Sequence, residues 1–223
     1  MTAEGVFSTG MLDSYCLAAD VVPLLGGYDL SVVGDAAAVA ARVAQLLPVT
    51  RQRLEDLAGR DFFWHAGETV VLDGTGRGRL SLYETGCTPV AAVQAVVVDG
   101  HTLPPAAYAV YPQKGEIHLH AHGEGAGWRL EGRFPHGLQN VTVTLDWGYP
   151  QVPPEVSLAQ AKLTAAELLA EAAGEKLTAA EVHLGDFSVR YAGAGKYAAA
   201  IQALVQEAGA LVQGYRRVGM RVV

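Results

Sequence analysis

Cysteines, charged residues and long apolar runs are all scarce in this sequence. Its 223 residues include two cysteines, Cys16 and Cys87, which stand far apart and match no metal-binding spacing. A disulfide scaffold is therefore not expected, although a single Cys16–Cys87 bond stays open. Charged residues make up 17% of the chain and the formal net charge is −7. This balance argues against a general nucleic-acid binder and against a disordered tail, so any contact with DNA would be local.

Two kinds of hydrophobic segment are also missing. No run of about 18 apolar residues occurs, and the first residues lack the basic and apolar regions of a secretory signal. We therefore expect neither a membrane-spanning protein nor one exported by a standard signal. Half of the residues are apolar, which is enough for one substantial domain with a core, with no cofactor indicated.

Apolar periodicity divides the chain into three parts and predicts an α+β fold. Residues 1–61 and 151–223 have helical periodicity, and residues 62–150 have the alternation of strands. The simplest architecture is a helical body interrupted by a small antiparallel β module. In the first part we predict two or three short helices, with Asp35 as one N-cap and Thr50 as the N-cap of a separate helix after Pro48.

The β module is predicted to contain five or six strands. Residues 69–84 are typical of a hairpin around the glycine-rich turn GTGRGR, and another strand ends on the Asp99–Gly100 turn. In residues 141–147 the apolar side chains alternate with Thr142, Thr144 and Asp146, which predicts a half-buried strand.

The third part is predicted to contain two longer helices and a terminal docking segment. Pro153 and Pro154 open a helix over about 155–173, a loop over 174–195 contains a strand within DFSVRY, and the last helix covers 196–213. The sequence then ends in YRRVGMRVV, an apolar and basic segment that we expect to dock on another surface.

The order of these segments resembles the head-to-tail adaptor (connector) proteins of tailed bacteriophages. The resemblance lies in VTRQRLEDLAGRDF, TPVAAVQAVVVDG, the junction WGYPQVPPEVSLAQAKLTAAELLAE, GDFSVRY and the terminal YRR, and it covers about residues 13–220. It implies a non-enzymatic structural protein of the virion neck, assembled in the cytoplasm of the bacterial host. Such adaptors form a ring, generally of twelve copies, below the portal, and the ring extends the DNA channel and provides the tail attachment surface.

The resemblance also implies partners and contact residues. The partners are further copies of the chain, the portal protein, a stopper or tail-completion protein, and double-stranded DNA that passes without sequence-specific binding. The segment that would dock on the portal consists of Tyr215, Arg216, Arg217, Val218, Gly219, Met220 and Arg221. The loop that would pack between subunits contains Gly185, Asp186, Phe187, Ser188, Val189 and Tyr191.

Four groups of polar residues could suggest chemistry, and for each we favour a structural interpretation. His118, His120 and His122 alternate along a predicted strand and are weak candidates for a shared metal ion. GTGRGR at 74–79 lacks the ending of a phosphate-binding loop and is interpreted as a hairpin turn. Asp56, Asp61, His65 and Glu68 could act as acids and bases and are interpreted as polar residues at a helix end. Ser81, Asp99 and His101 are the residue types of a nucleophilic triad, but they lack the sequence that surrounds such a nucleophile and are interpreted as scattered polar residues.

Two other functions stay open at this point. A stopper or tail-completion protein would also lack an active site but would bind on the tail side. A metal-binding or small-ligand enzyme would use the β module and its histidines.

Overall fold

The structure is a computed structural model that describes residues 14–120, 131–174, 180–181, 189–190 and 197–216. The chain divides into two compact units. The first, Met1–Asp61 with Val152–Val223, is called the helical unit below, and the second, Phe62–Gln151, is called the β unit. The described helices and strands establish the predicted α+β fold.

The helical unit contains four α-helices and two very short strands in its described part. The helices are α1 (Ala18–Val21), α2 (Ala36–Ala58), α3 (Pro154–Ala172) and α4 (Ala198–Val212). Short 3-10 helices follow α1 at Val22–Leu25 and α4 at Gln213–Tyr215. The strands are β8 (Ala180–Glu181) and β9 (Val189–Arg190), which pair antiparallel.

Helix α2 runs through Pro48, so the prediction of a separate helix beginning near Thr50 is wrong. Asp35 caps α2 as predicted, since its carboxylate accepts the Ala38 N–H at 2.8 Å. Thr50 instead lies inside the helix, where its hydroxyl bonds to the carbonyls of Leu46 and Leu47. These contacts satisfy polar groups next to the proline, which lacks an N–H of its own.

Helix α3 is the most buried helix of the described chain, and one polar side chain organises its surroundings. Gln160 is fully buried, and its carbonyl oxygen accepts the N–H groups of Tyr15 at 2.6 Å and Cys16 at 3.1 Å. Its amide donates to the Leu47 carbonyl at 2.8 Å. One residue of α3 therefore ties the start of the described chain to α2.

A second buried contact and a set of ion pairs also join the helices. The hydroxyls of Thr50 and Thr164 lie 2.8 Å apart in the interior. Near the surface the guanidinium of Arg42 forms a bidentate pair with Glu171, at 2.8 and 2.6 Å. Two further ion pairs between these helices are Arg53–Glu167 and Lys162–Glu207.

The β unit contains two antiparallel sheets. Its strands are β1 (Trp64–Gly74), β2 (Arg79–Ser81), β3 (Val90–Val98), β4 (His101–Thr102), β5 (Tyr108–Tyr111), β6 (Glu116–Leu119) and β7 (Gly137–Gly148). One sheet has the order β1-β7-β3-β4 and the other has the order β2-β6-β5. Short 3-10 helices lie at Tyr83–Thr85, Pro105–Ala107 and Pro112–Lys114.

The predicted hairpin around GTGRGR is wrong, because the two strands that flank it belong to different sheets. β1 pairs with β7 and β2 pairs with β6, so residues 75–78 form a corner between the sheets. The Asp99–Gly100 turn does join a hairpin, β3–β4, and both of its residues have the positive φ that such a turn requires.

The two sheets share one apolar core. Val141, Val143, Leu145 and Trp147 of β7 are buried in it, while Thr142, Thr144 and Asp146 lie on the other face, as predicted. Ile117 and Phe134 are fully buried in the same cluster. Within the described residues, no helix is both long and apolar enough to cross a membrane.

Candidate docking surfaces

The first candidate surface is the C-terminal end of the helical unit, where the predicted portal-docking segment begins. The Tyr215 hydroxyl donates to the Glu155 carboxylate at 3.2 Å, in the first turn of α3. Leu158, one turn further along α3, is 42% exposed although it is apolar. Tyr215 and Arg216 are half-buried, and residues 217–221 lie outside the described part of the chain.

The second candidate surface is the outer side of α4. Five of the six exposed residues of α4 are alanine or glutamine. The sixth, Glu207, is charged and pairs with Lys162. A solvent-facing helix is normally rich in charged residues. The exposed residues of α4 are Ala199, Gln202, Ala203, Gln206, Glu207 and Ala210.

The residue just before α4 fixes its start to the N-terminal part of the unit. The Tyr197 hydroxyl donates to the Asp29 carbonyl at 2.9 Å and accepts the Asp29 N–H at 3.1 Å. Its ring meets Tyr28 edge to face, with centroids 5.3 Å apart. These contacts hold the first turn of α4 in place.

The predicted inter-subunit loop is described only in part. Val189 lies in β9 and pairs with Glu181 of β8. The other residues of that prediction, Gly185, Asp186, Phe187, Ser188 and Tyr191, lie outside the described residues. The role assigned to this loop stays a prediction.

The structure describes two of the three histidines that were weak candidates for a shared metal ion, so that candidate stays a prediction. His118 on β6 lies 2.8 Å from the Glu116 carboxylate, and its ring contacts Tyr111 at 4.5 Å between centroids. His120 follows the end of β6, and His122 lies outside the described residues. No group of three or more metal-ligating side chains occurs among the described residues. Glu116 is a carboxylate neighbour of His118 that sequence reasoning overlooked.

Two of the other acid and base residues lie together, since His65 Nδ1 is 3.6 Å from a carboxylate oxygen of Glu68. His65 and Glu68 lie on β1, not at a helix end, and Glu68 accepts the Trp147 indole N–H at 2.6 Å. The His65 ring stacks on Trp147 at 3.9 Å between centroids. Asp56 lies on the exposed side of α2, where its carboxylate accepts the Gln52 amide. Aromatic packing and surface hydrogen bonds account for these residues.

The triad types are also spread over separate elements. Ser81 lies on β2, Asp99 occupies a turn and His101 lies on β4. Both cysteines are buried, and the structure has no disulfide between Cys16 and Cys87. Burial raises the pKa of the Cys16 thiol to about 11, which keeps it protonated and poorly nucleophilic at neutral pH.

Comparison with known proteins finds little similarity in sequence. No protein-family model matches the chain, and no curated protein matches it.

Three solved structures that resemble this chain come from gene transfer agent particles. A chain from the neck of an empty particle, computed with C6 symmetry, has a TM-score of 0.49 and 17% identity over 94% of this chain and 93% of that one. A chain from the virion of the native particle has a TM-score of 0.48 and 16% identity over 97% of this chain and 96% of that one. A chain from the neck of the native particle, computed with C12 symmetry, has a TM-score of 0.46 and 15% identity over 85% of this chain and 86% of that one. Similarities at this level do not carry an argument about function.

Proposed function

We propose that this protein is a head-to-tail adaptor of a tailed-bacteriophage type of particle. In this role it forms a ring, of twelve copies, in the virion neck below the portal, extends the DNA channel and provides a surface for tail attachment. The role is mechanical and requires no catalytic group. The sequence resemblance suggests it, and the outer surface of α4 is the structural observation that carries it.

The α4 surface is suited to lateral packing between identical subunits. Alanine side chains let neighbouring helices approach closely, and uncharged residues can be buried without leaving unpaired ions. The inner side of α4 is already packed through Ile201, Val205 and Val212. A ring needs such a surface because each subunit must bury a patch against the next one.

The portal contact is proposed for the segment that follows α4. Tyr and Arg side chains are frequent at the centres of interfaces, where they provide area, stacking and bidentate hydrogen bonds. The hydrogen bond between Tyr215 and Glu155 places the first residue of this segment on the helical unit. We propose that residues 215–221 bind the portal and that residues 185–191 pack between subunits.

The primary test is the mass and shape of the purified chain, alone and with the portal ring of its own particle. Twelve copies of a 23.4-kDa chain have a mass of about 280 kDa, which native mass spectrometry resolves and negative-stain microscopy shows as a ring. A monomer or dimer that ignores the portal would contradict the proposal.

Matched substitutions test the α4 surface directly. Ala203→Glu places a charge on the exposed side of α4 and should abolish the ring, because a buried interface does not accept an unpaired carboxylate. Ala106→Glu makes the same change at an exposed position of the β unit and should leave the ring intact. Equal effects of the two substitutions would rule out α4 as the interface.

Deletion of residues 215–223 tests the portal contact separately. The truncated chain should keep its fold and its ring but lose binding to the portal. If the truncated protein still binds the portal with unchanged affinity, the docking role of the terminal segment is wrong.

A further inference from the structure

The GTGRGR corner of the β unit lies at one end of its long strand pair. β1 starts at Trp64, where the chain enters the unit, and ends at Gly74, about 30 Å away at 3.3 Å per residue. The corner therefore lies at the end of the unit remote from Trp64. We call residues 74–79 and 131–137 together the basic tip.

Backbone contacts hold the two segments of the basic tip against each other. The Phe134 N–H donates to the Arg77 carbonyl at 2.9 Å. A side chain at Gly78 would lie 2.9 Å from the Gly132 carbonyl, so the two backbones meet more closely than any residue but glycine allows. Asn140 secures the base of the tip, since it accepts the Gly74 N–H and donates to the Pro135 carbonyl.

The corner is further fixed by a threonine. The Thr75 hydroxyl donates to the Arg79 carbonyl at 3.2 Å and accepts the Arg77 N–H at 3.3 Å. Such bonds define a single backbone conformation for the loop. The backbone that carries Arg77 and Arg79 is therefore restricted before binding, which lowers the conformational cost of binding.

The tip brings together basic side chains from separate parts of the sequence. Arg77, Arg79, Arg133 and His136 are all exposed. Arg79 lies 4.0 Å from Glu116, whereas Arg77 and Arg133 have no carboxylate within ion-pair distance among the residues that the structure describes. Glu131 is the acidic residue of the tip itself.

This arrangement differs from the one in the helical unit. There Arg42, Arg51, Arg53 and Lys162 each pair with a glutamate, and Arg60, whose Nε has no hydrogen-bond partner among the described residues, is half-buried and not exposed. In a chain with a net charge of −7, two exposed arginines on backbone segments that meet, with no carboxylate at ion-pair distance among the described residues, form a local site for a polyanion.

We infer that the basic tip contacts the phosphates of double-stranded DNA. The tip provides two guanidiniums that can each donate hydrogen bonds to phosphate oxygens. DNA is chosen as the polyanion because the inference rests on the proposed adaptor function, in which DNA passes each subunit. The contact is weak and sensitive to salt, because the rest of the chain repels DNA.

The test measures binding of the full chain to a short fluorescein-labelled DNA duplex by anisotropy over a range of salt concentrations. Each phosphate contact contributes about −0.9 to the slope of log affinity against log salt. Arg77→Ala and Arg133→Ala should each lower the magnitude of the slope by about 0.9, and the double variant by about 1.8. Between 50 and 200 mM salt, wild-type affinity should then fall about 12-fold more than that of the double variant.

Lys114→Ala is the matched control. Lys114 is an exposed cation of the same unit, but it lies before β6, at the end away from the tip. Its loss should leave the slope unchanged. The Arg77→Gln and Arg133→Gln variants replace the alanine variants if circular dichroism shows that the latter are unfolded.

Three results would overturn the inference. These are no detectable binding by the wild type at low salt, a slope change in Lys114→Ala equal to that in Arg77→Ala, and displacement of the duplex by polyglutamate as readily as by unlabelled DNA. The last result would identify an acidic protein surface as the partner. Ring formation by the wild type is measured in parallel: a wild-type ring that does not bind DNA refutes the tip alone, and DNA binding by a wild type that forms no ring refutes the adaptor function alone.

Discussion

Replacing Gln160 with methionine should destabilise the helical unit by removing one buried polar junction. The substitution nearly preserves the length and volume of the side chain but removes the oxygen that accepts the N–H groups of Tyr15 and Cys16. It also removes the amide that donates to the Leu47 carbonyl. A buried donor that loses its acceptor costs about 1–3 kcal/mol. The Cys16 N–H keeps the Ser14 hydroxyl at 3.3 Å, so we expect a loss of about 2–4 kcal/mol.

Urea unfolding followed by far-UV circular dichroism measures this loss. At a slope of about 2 kcal/mol per M, the midpoint should fall by about 1–2 M. All three tryptophans lie in the β unit, at positions 64, 128 and 147, so helical ellipticity and tryptophan fluorescence report on different units. The ellipticity midpoint should show the effect, and amide exchange at Tyr15 and Cys16 should accelerate.

Gln52→Met provides the matched control for this prediction. Gln52 lies on the exposed side of α2, where its amide bonds only to Asp56, and its loss should change stability by at most about 0.5 kcal/mol. If Gln160→Met and Gln52→Met shift the midpoint equally, the buried junction does not hold the N-terminal segment as we argue.

Three further predictions concern a close approach, a thiol and a helix cap. Gly148→Ala should destabilise the β unit by about 3 kcal/mol or more, because the added carbon would overlap the Phe63 carbonyl oxygen. Gly100 also has a positive φ but lies in open space, so Gly100→Ala should cost about 1 kcal/mol. Urea unfolding followed by tryptophan fluorescence compares the two variants. The raised pKa of Cys16 means that the native state holds the thiol proton more tightly than the unfolded chain does. The protonated thiol therefore contributes its full stabilisation below pH 9, and this stabilisation is lost as the pH rises toward 11. Melting temperatures measured between pH 8 and pH 11 should show the loss. Asp35→Ala should lower stability by about 1 kcal/mol through loss of the α2 cap, and Asp35→Asn should restore most of it.

Features of the fold that depend on neighbouring residues could be predicted from the sequence. The Asp35 cap and the Asp99–Gly100 turn follow from the chemistry of a few adjacent residues, and both occur where expected. The alternation in β7 likewise indicates which side chains are buried.

Features that depend on distant partners could not be predicted in this way. Pro48 favours a helix boundary when only its neighbours are considered, but in the structure polar side chains of the interior bond to the carbonyls beside it. One of these, Gln160, is more than a hundred residues away in the sequence. The GTGRGR segment looks like a hairpin turn because both flanking segments alternate, yet alternation does not specify which strands pair.

The basic tip shows why a surface site of this kind is hidden from sequence inspection. Arg77 and Arg133 are separated by 55 residues, and nothing in the sequence around either of them indicates that the two segments meet. The strand pairing of β1 with β7 and of β2 with β6 brings the two arginines together. Glycines at positions 76 and 78 were visible as a loop signal, but the reason for Gly78 lies in the carbonyl of Gly132. A local positive site can therefore arise in an acidic chain through topology alone, and the salt dependence of DNA binding is the measurement that detects it.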